Sequence, residues 1–225
     1  QLRDTLSENK NQGSQLAYQN AVEQLDMHMQ FQQGLKARWK KDFKAALRIF
    51  KSLSENNFAE AQSHLGVMHE KGLGIKQNYN TAIQLYEKSI QNNDGYGMAR
   101  LSLLYQKGLG VNKNIKKAYE LTQRAAGKGN SRGKARLGFM YLNGIGIKKD
   151  IDKALALFQQ SAAENDAEGL TRLGEMYLKG TGIKQDVDKA LTLIKKSAAK
   201  GNGLAIGRLG YIYLKGLGVN KDKRK

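Results

Sequence analysis

Apolar and polar positions along this chain form a block that returns every 36 residues. Leu65, Leu101, Leu137, Leu173 and Leu209 mark it, each followed by Gly66, Ser102, Gly138, Gly174 or Gly210. Within one block Leu137, Met140, Tyr141 and Gly144 fall at i, i+3, i+4 and i+7, the stripe of an amphipathic helix. Asn143-Gly144-Ile145-Gly146 follows, residues able to adopt positive φ, so the helix ends there in a tight turn. The same G-x-G closes the other blocks at Gly72 and Gly74, Gly108 and Gly110, Gly180 and Gly182, and Gly216 and Gly218. A second helix begins at Asp150, an N-cap residue, and places Ala154, Leu157, Phe158, Ser161 and Ala162 on one face. Asn78, Asn114, Asp186 and Asp222 occupy the same cap position in the other blocks. A helix pair of this size cannot bury its own apolar face and must stack on its neighbours. The pattern predicts an all-α fold, a right-handed α-solenoid of antiparallel helix pairs, with roughly half of each unit helical.

The register sets the expected domain organisation. Full units occupy residues 59–94, 95–130, 131–166 and 167–202, and a truncated fifth occupies 203–225. A divergent repeat is expected at 26–58, because KKDFKAALRIFKSLSENN aligns Asp42 with Asp150 and Ala46 with Ala154. Residues 1–25 leave the pattern and are read as a partly helical N-terminal capping segment. Leu16, Ala17, Ala21, Leu25 and Met29 predict a helix over about 14–36 that covers the first unit. Trp39, the single tryptophan, is expected to anchor this cap, with a partner contact as the alternative. The whole is expected to be one elongated domain. Small residues at Ala82, Ala118, Ala154 and Ala190, and again at Ala126, Ala162 and Ala198, let helix axes approach closely. Gln1 in place of an initiator Met, and a fifth unit that stops at Lys225, lead to the expectation of a chain cut at both ends. The last first helix is then covered by further chain or by an interface.

Composition narrows the chemistry. There is no proline, consistent with helices broken by Gly and Asn, and no cysteine, which excludes disulfides, thiolate metal sites and cysteine nucleophiles. No apolar run reaches the roughly 18 residues of a membrane span. His28, His64 and His69 have no metal-ligand or triad spacing, and His69 stands where other units carry Tyr105, Tyr141, Tyr177 and Tyr213. The G-x-G has no third glycine and no preceding strand, so it reads as a turn and not as a nucleotide loop. Asp150 with Asp152 and Asp186 with Asp188 recur as cap and first-turn residues, which leaves acid/base catalysis without a candidate pair. No catalytic residue, metal ligand or cofactor is expected. The formal net charge is +18, and it is spread along the chain. Residues 95–130 carry seven Lys or Arg against one acid, whereas 59–94 carry three against four.

The string ARLGFMYLNGIGIKKDIDKALALFQQSAAEND resembles the Sel-1-like repeat, a helical relative of the tetratricopeptide repeat. It shares the Leu-Gly pair, the Tyr four residues after Leu, G-x-G, Asp-x-x-Lys-Ala and the Ala-rich end of the second helix. Tetratricopeptide units run at 34 residues and normally carry a proline; this chain keeps 36 and has none. The resemblance covers residues 59–225. It implies a non-enzymatic scaffold or adaptor that binds a protein, acidic by charge complementarity, in the concave groove lined by first helices. It further implies a bacterial setting, the periplasm with the cytoplasm as alternative, and a role in assembling or regulating an envelope machine such as a secretion system. An immunity protein that sequesters a secreted effector is the alternative function. Nucleic-acid binding, suggested by the charge alone, is the weaker reading, since the aromatics sit largely at core register.

The variable positions of the first helix carry what the repeat does not explain. One face, at i, i+3 and i+7, holds His64, Val67 and Lys71; Arg100, Leu103 and Lys107; Arg136, Phe139 and Asn143; Arg172, Glu175 and Lys179; and Arg208, Tyr211 and Lys215. Four arginines in identical register, interleaved with Leu, Phe and Tyr, form a basic and partly apolar strip. Arg100, Leu103, Lys107, Arg136, Phe139, Arg172, Lys179, Arg208, Tyr211 and Lys215 are therefore the expected partner-binding residues. Two readings of the arginines stay open: they recognise a ligand carboxylate, or they reach a carboxylate of the adjacent unit.

Overall fold

Side-chain caps start the helices and left-handed residues end them. Asp42, Asn78, Asn114, Asp150 and Asp186 each accept a hydrogen bond from the backbone N–H three residues on. At Asp150 the bond from the Lys153 N–H, followed by the Lys153 side chain, holds the carboxyl below its ordinary range. A second set of caps, Asp94, Asn130, Asp166 and Asn202, starts the first helices. Each follows a left-handed residue, Asn93, Gly129, Asn165 or Gly201, again spaced by 36. The G-x-G turn is closed by one further bond: the N–H of Asn114, Asp150 and Asp186 reaches the carbonyl of Tyr105, Tyr141 and Tyr177. Gly144 and Gly146, at φ 66° and 69°, are the residues this turn requires.

The computed structural model describes the backbone of residues 2–217 and the side chains of residues 15–217. Gly218 and Asp222 lie outside the described residues. All regular structure among the described residues is helical, and contacts gather the chain into two compact units, Gln1–Asn92 and Asn93–Lys225. The first contains α1 (Leu2–Trp39), α2 (Phe43–Glu55), α3 (Ala59–Lys71) and α4 (Tyr79–Gln91). The second contains α5 (Gly95–Lys107), α6 (Ile115–Gly127), α7 (Ser131–Asn143), α8 (Ile151–Ala163), α9 (Ala167–Lys179), α10 (Val187–Ala199) and α11 (Gly203–Lys215). From α2 to α11 every helix has 13 residues, so a unit is more helical than the expected half. Within the second unit α5 pairs with α6, α7 with α8 and α9 with α10, each pair stacks on the next, and first helices touch directly, α5 on α7 and α7 on α9. No helix among the described residues is long and apolar enough to cross a membrane.

In the first unit α1 is one continuous helix, so the capping segment and the first helix of the divergent repeat are a single element. Its C-terminal part packs: Phe31 meets Phe50, Phe58 and His64 at centroid distances of 5.8, 5.5 and 5.1 Å. Its middle does not. Leu16, Leu25 and Met29, expected to cover the first unit, are exposed, and Trp39, expected as an anchor, is 65% exposed at the end of α1.

The glycine of the Leu-Gly pair is a packing device. A Cβ on Gly138 would lie 2.8 Å from the Phe158 ring, one on Gly66 2.7 Å from Tyr86, and one on Gly174 2.7 Å from Ile194. All three facing side chains are fully buried. Where the second unit carries Ser102 instead of Gly, the register-equivalent of Phe158 is Thr122, so small and large exchange across the helix pair. Gly210 has nothing within 4 Å of such a Cβ, and Leu204, Ile206, Tyr211 and Leu214 on α11 are exposed.

Another exchange explains His69. Lys117, Lys153 and Lys189 of the Asp-x-x-Lys motif sit 4.4, 5.4 and 5.0 Å from the ring centroids of Tyr105, Tyr141 and Tyr177. In the block at 59–94 the Tyr is His69 and the Lys is Thr81. His69 leaves Nδ1 buried without a hydrogen-bond partner, and burial pushes its pKa below the ordinary 6.5. The fold therefore disfavours the protonated ring relative to the unfolded chain. Stability is expected to fall as pH drops below about 6.5, because the unfolded state then binds more protons than the native one. Thermal midpoints between about pH 7 and pH 5.5 should drop less for His69→Tyr than for the unmodified chain. An unchanged pH dependence would remove His69 as its source.

Candidate partner-binding strip

The expected site residues lie in the second unit, on α5, α7, α9 and α11, at one register. The structure grades them by exposure. Arg100 and Arg136 are buried, the Arg172 side chain is 18% exposed and that of Arg208 is 39% exposed. Leu103 and Phe139 are half-buried, Tyr211 is exposed, and Lys107, Lys179 and Lys215 are exposed at the end of the same face. Asn143, in the register of those lysines, donates to the carbonyl of Phe139 at 2.8 Å.

Three of the ladder arginines reach back onto the preceding first helix, each finding a different partner. Arg136 donates through Nε to the Ser102 hydroxyl at 3.2 Å and through Nη2 to the Gln106 carbonyl oxygen at 2.9 Å. Arg172 lays its guanidinium over the Phe139 ring at 4.4 Å and pairs within its own helix with Glu175 at 3.1 Å and Glu168 at 3.9 Å. Arg208 donates to Glu175. Glu175 is buried and bridges two ladder arginines at the position that Leu103 and Phe139 occupy elsewhere. One reading of the ladder is met at Arg208, which reaches a carboxylate of the adjacent unit, whereas the hydrogen bonds of Arg136 go to neutral acceptors.

Arg132 belongs to the same face and did not stand out in the sequence. It donates to the Tyr96 hydroxyl at 3.2 Å, lies 5.3 Å from the Tyr96 centroid and approaches Asp166 at 3.6 Å. Tyr96, and then Asp166, raise its pKa against the effect of burial. For Arg136 burial lowers the pKa, Arg100, Arg132 and Arg172 lower it further, and Glu168 opposes them. Tyr96, Arg132 and Glu168 share one register, and their variability at that position was the available signal. No group of three or more His, Asp or Glu among the described residues could hold a metal ion.

The Sel1 repeat profile matches residues 59–94, 95–130, 131–166, 167–202 and 204–225. The chain belongs to the Sel1 repeat family. A Sel1 repeat protein from Oxalobacter formigenes is 35% identical, with a TM-score of 0.63, over 79% of this chain and 71% of that one. A protective antigen of uropathogenic Escherichia coli with the same repeat fold is 28% identical, with a TM-score of 0.54, over 92% of this chain but only 45% of its own length. An immunity protein of Pseudomonas aeruginosa, 20% identical with a TM-score of 0.60 over 80% of this chain and 68% of that one, shares the fold. No curated protein matches the chain. Sel1 repeat proteins are protein-interaction scaffolds. For this member, the family frame accounts for the Leu-Gly pairs, turns and caps.

Proposed function

We propose that this Sel1 repeat protein is a non-enzymatic adaptor that binds a protein partner on the first-helix face of its second unit. One observation carries the reading: on that face, variable positions at a single register put Leu103, Phe139 and Tyr211 between arginines and exposed lysines. Apolar side chains beside guanidinium groups are the composition of interface anchors, and surrounding lysines steer an acidic partner. The carboxylates of Asp166, Glu168 and Glu175 interrupt the same face and oppose a continuous polyanion such as nucleic acid. In this reading the adaptor serves assembly or regulation of a bacterial envelope machine in the periplasm.

A photo-crosslinking residue at Leu103 is expected to capture discrete proteins from a lysate of the native host, treated with nuclease and kept at moderate salt. The same residue at the exposed Gln160, on a second helix, should capture none of them. Tyr211→Ala combined with Lys179→Glu should reduce capture several-fold with helicity unchanged, since both side chains are exposed. Equal capture from Leu103 and Gln160 would remove the first-helix face from the reading.

A further inference from the structure

The strip holds a buried guanidinium that no carboxylate of the described residues contacts. Arg136 is 8% exposed, and its hydrogen bonds go to Ser102 and Gln106, both neutral. No carboxylate lies within 4.0 Å of it among the described residues, whereas Arg132, Arg172 and Arg208 all have one. Buried charges are normally paired, because an ion out of water is strongly destabilised unless an opposite charge replaces the solvent. Three like charges, Arg100, Arg132 and Arg172, act on Arg136 against the single opposing carboxylate of Glu168, which is not within contact distance. Nε of Arg132 and Nε of Arg172 are also buried with no hydrogen-bond partner.

The chain shows what would satisfy this arrangement one step along. Between Arg172 and Arg208 the register position is Glu175, and its carboxylate joins both guanidinium groups. Between Arg100 and Arg136 that position is Leu103, and between Arg136 and Arg172 it is Phe139. The second unit therefore carries an acid at one step of the arginine ladder and apolar side chains at the other two.

We propose that the face formed by α5, α7 and α9 contains a carboxylate-binding subsite, in which Arg136 and Arg172 receive an acidic group of a protein partner whose apolar side chains pack on Leu103 and Phe139. The occupant is an acidic, partly apolar peptide segment. Phosphate chains fit less well, because Glu168 and Glu175 stand within the strip and the other two steps between arginines are apolar. The inference rests on the strip being the partner-facing surface, and adds the chemistry of the partner.

The test uses the full chain and fluorescent peptides followed by anisotropy. One peptide alternates Glu with Leu and has both ends blocked. A second replaces every Glu with Gln, a third is the Gln peptide with a free C-terminal carboxylate, and a single-stranded oligonucleotide of the same charge serves as the polyanion. The Glu peptide is expected to bind roughly 10- to 100-fold more tightly than the blocked Gln peptide, the range of a charge-assisted hydrogen bond to a buried partner. A gain in the third peptide as large as that of the first would assign the subsite to a chain terminus instead of a side chain and supports it equally. Arg136→Met should remove the preference for Glu without lowering the thermal midpoint, since a buried cation with no carboxylate in contact gives way to an apolar side chain of similar length. Arg136→Lys, which keeps the charge but loses the fork, should weaken the preference and covers the case in which the Met variant does not fold. Equal binding of the Glu, blocked Gln and free-terminus peptides, absence of binding by all three, tighter binding of the oligonucleotide, or an undiminished preference in a folded Arg136 variant would overturn the proposal. Equal binding of the peptides together with crosslinking from Leu103 would leave the adaptor reading standing and sink only the subsite.

Discussion

Phe158→Ala is expected to lower the unfolding free energy by about 3–5 kcal/mol, the cost of emptying a fully buried aromatic site in a core that cannot collapse around it. Gly138→Ser should cost about 1–3 kcal/mol by the opposite fault, because the new Cβ would meet the Phe158 ring at 2.8 Å and the Ala154 carbonyl at 3.2 Å. The informative variant is the pair. Gly138→Ser with Phe158→Thr recreates the combination that Ser102 and Thr122 present at the same register, and the serine then occupies space the ring has vacated. The double variant should be more stable by about 1 kcal/mol than the separate losses of Gly138→Ser and Phe158→Thr add up to. Urea unfolding followed by circular dichroism measures these variants and the Phe158→Thr single. Strictly additive losses would show that Gly138 and Phe158 do not compete for one volume.

Glu175→Gln is expected to destabilise the chain by about 1–3 kcal/mol, since a buried carboxylate that two guanidinium groups share becomes a neutral amide. The contribution of Arg208 is reduced by its exposure, and a cycle with Arg208→Gln should give a coupling of about 1 kcal/mol or less. The coupling should weaken at high salt without vanishing, because solvent ions reach Arg208 while Glu175 is shielded. A zero coupling at low salt would show that the Arg208 contact contributes nothing to the stack.

The helix pairs, their caps and their turns were legible in the sequence because they are set by residues close together in the chain. Asp150 caps α8 through a neighbour three residues away, and Gly144 ends α7 through its own φ. The caps of the first helices, such as Asp166, were equally local, but they stand in the turn between units, where no hydrophobic stripe draws attention to them. For α1 the periodicity of Leu16, Leu25 and Met29 identified a helix and misjudged its surroundings, because an apolar stripe does not say what covers it.

The ladder shows where local reading stops. Its four arginines are indistinguishable in the sequence, each immediately before its Leu, yet Arg136 is enclosed with neutral partners, Arg172 lies on an aromatic ring and Arg208 holds a carboxylate. These partners come from residues 30 to 34 positions earlier, such as Gln106, Ser102, Phe139 and Glu175. The 36-residue period determined that such residues would face one another across stacked units. Only the tertiary structure decided which donors meet which acceptors and which guanidinium has no carboxylate in contact, since that depends on how closely α5, α7, α9 and α11 pack and on the rotamers of long side chains within about 4 Å of one another.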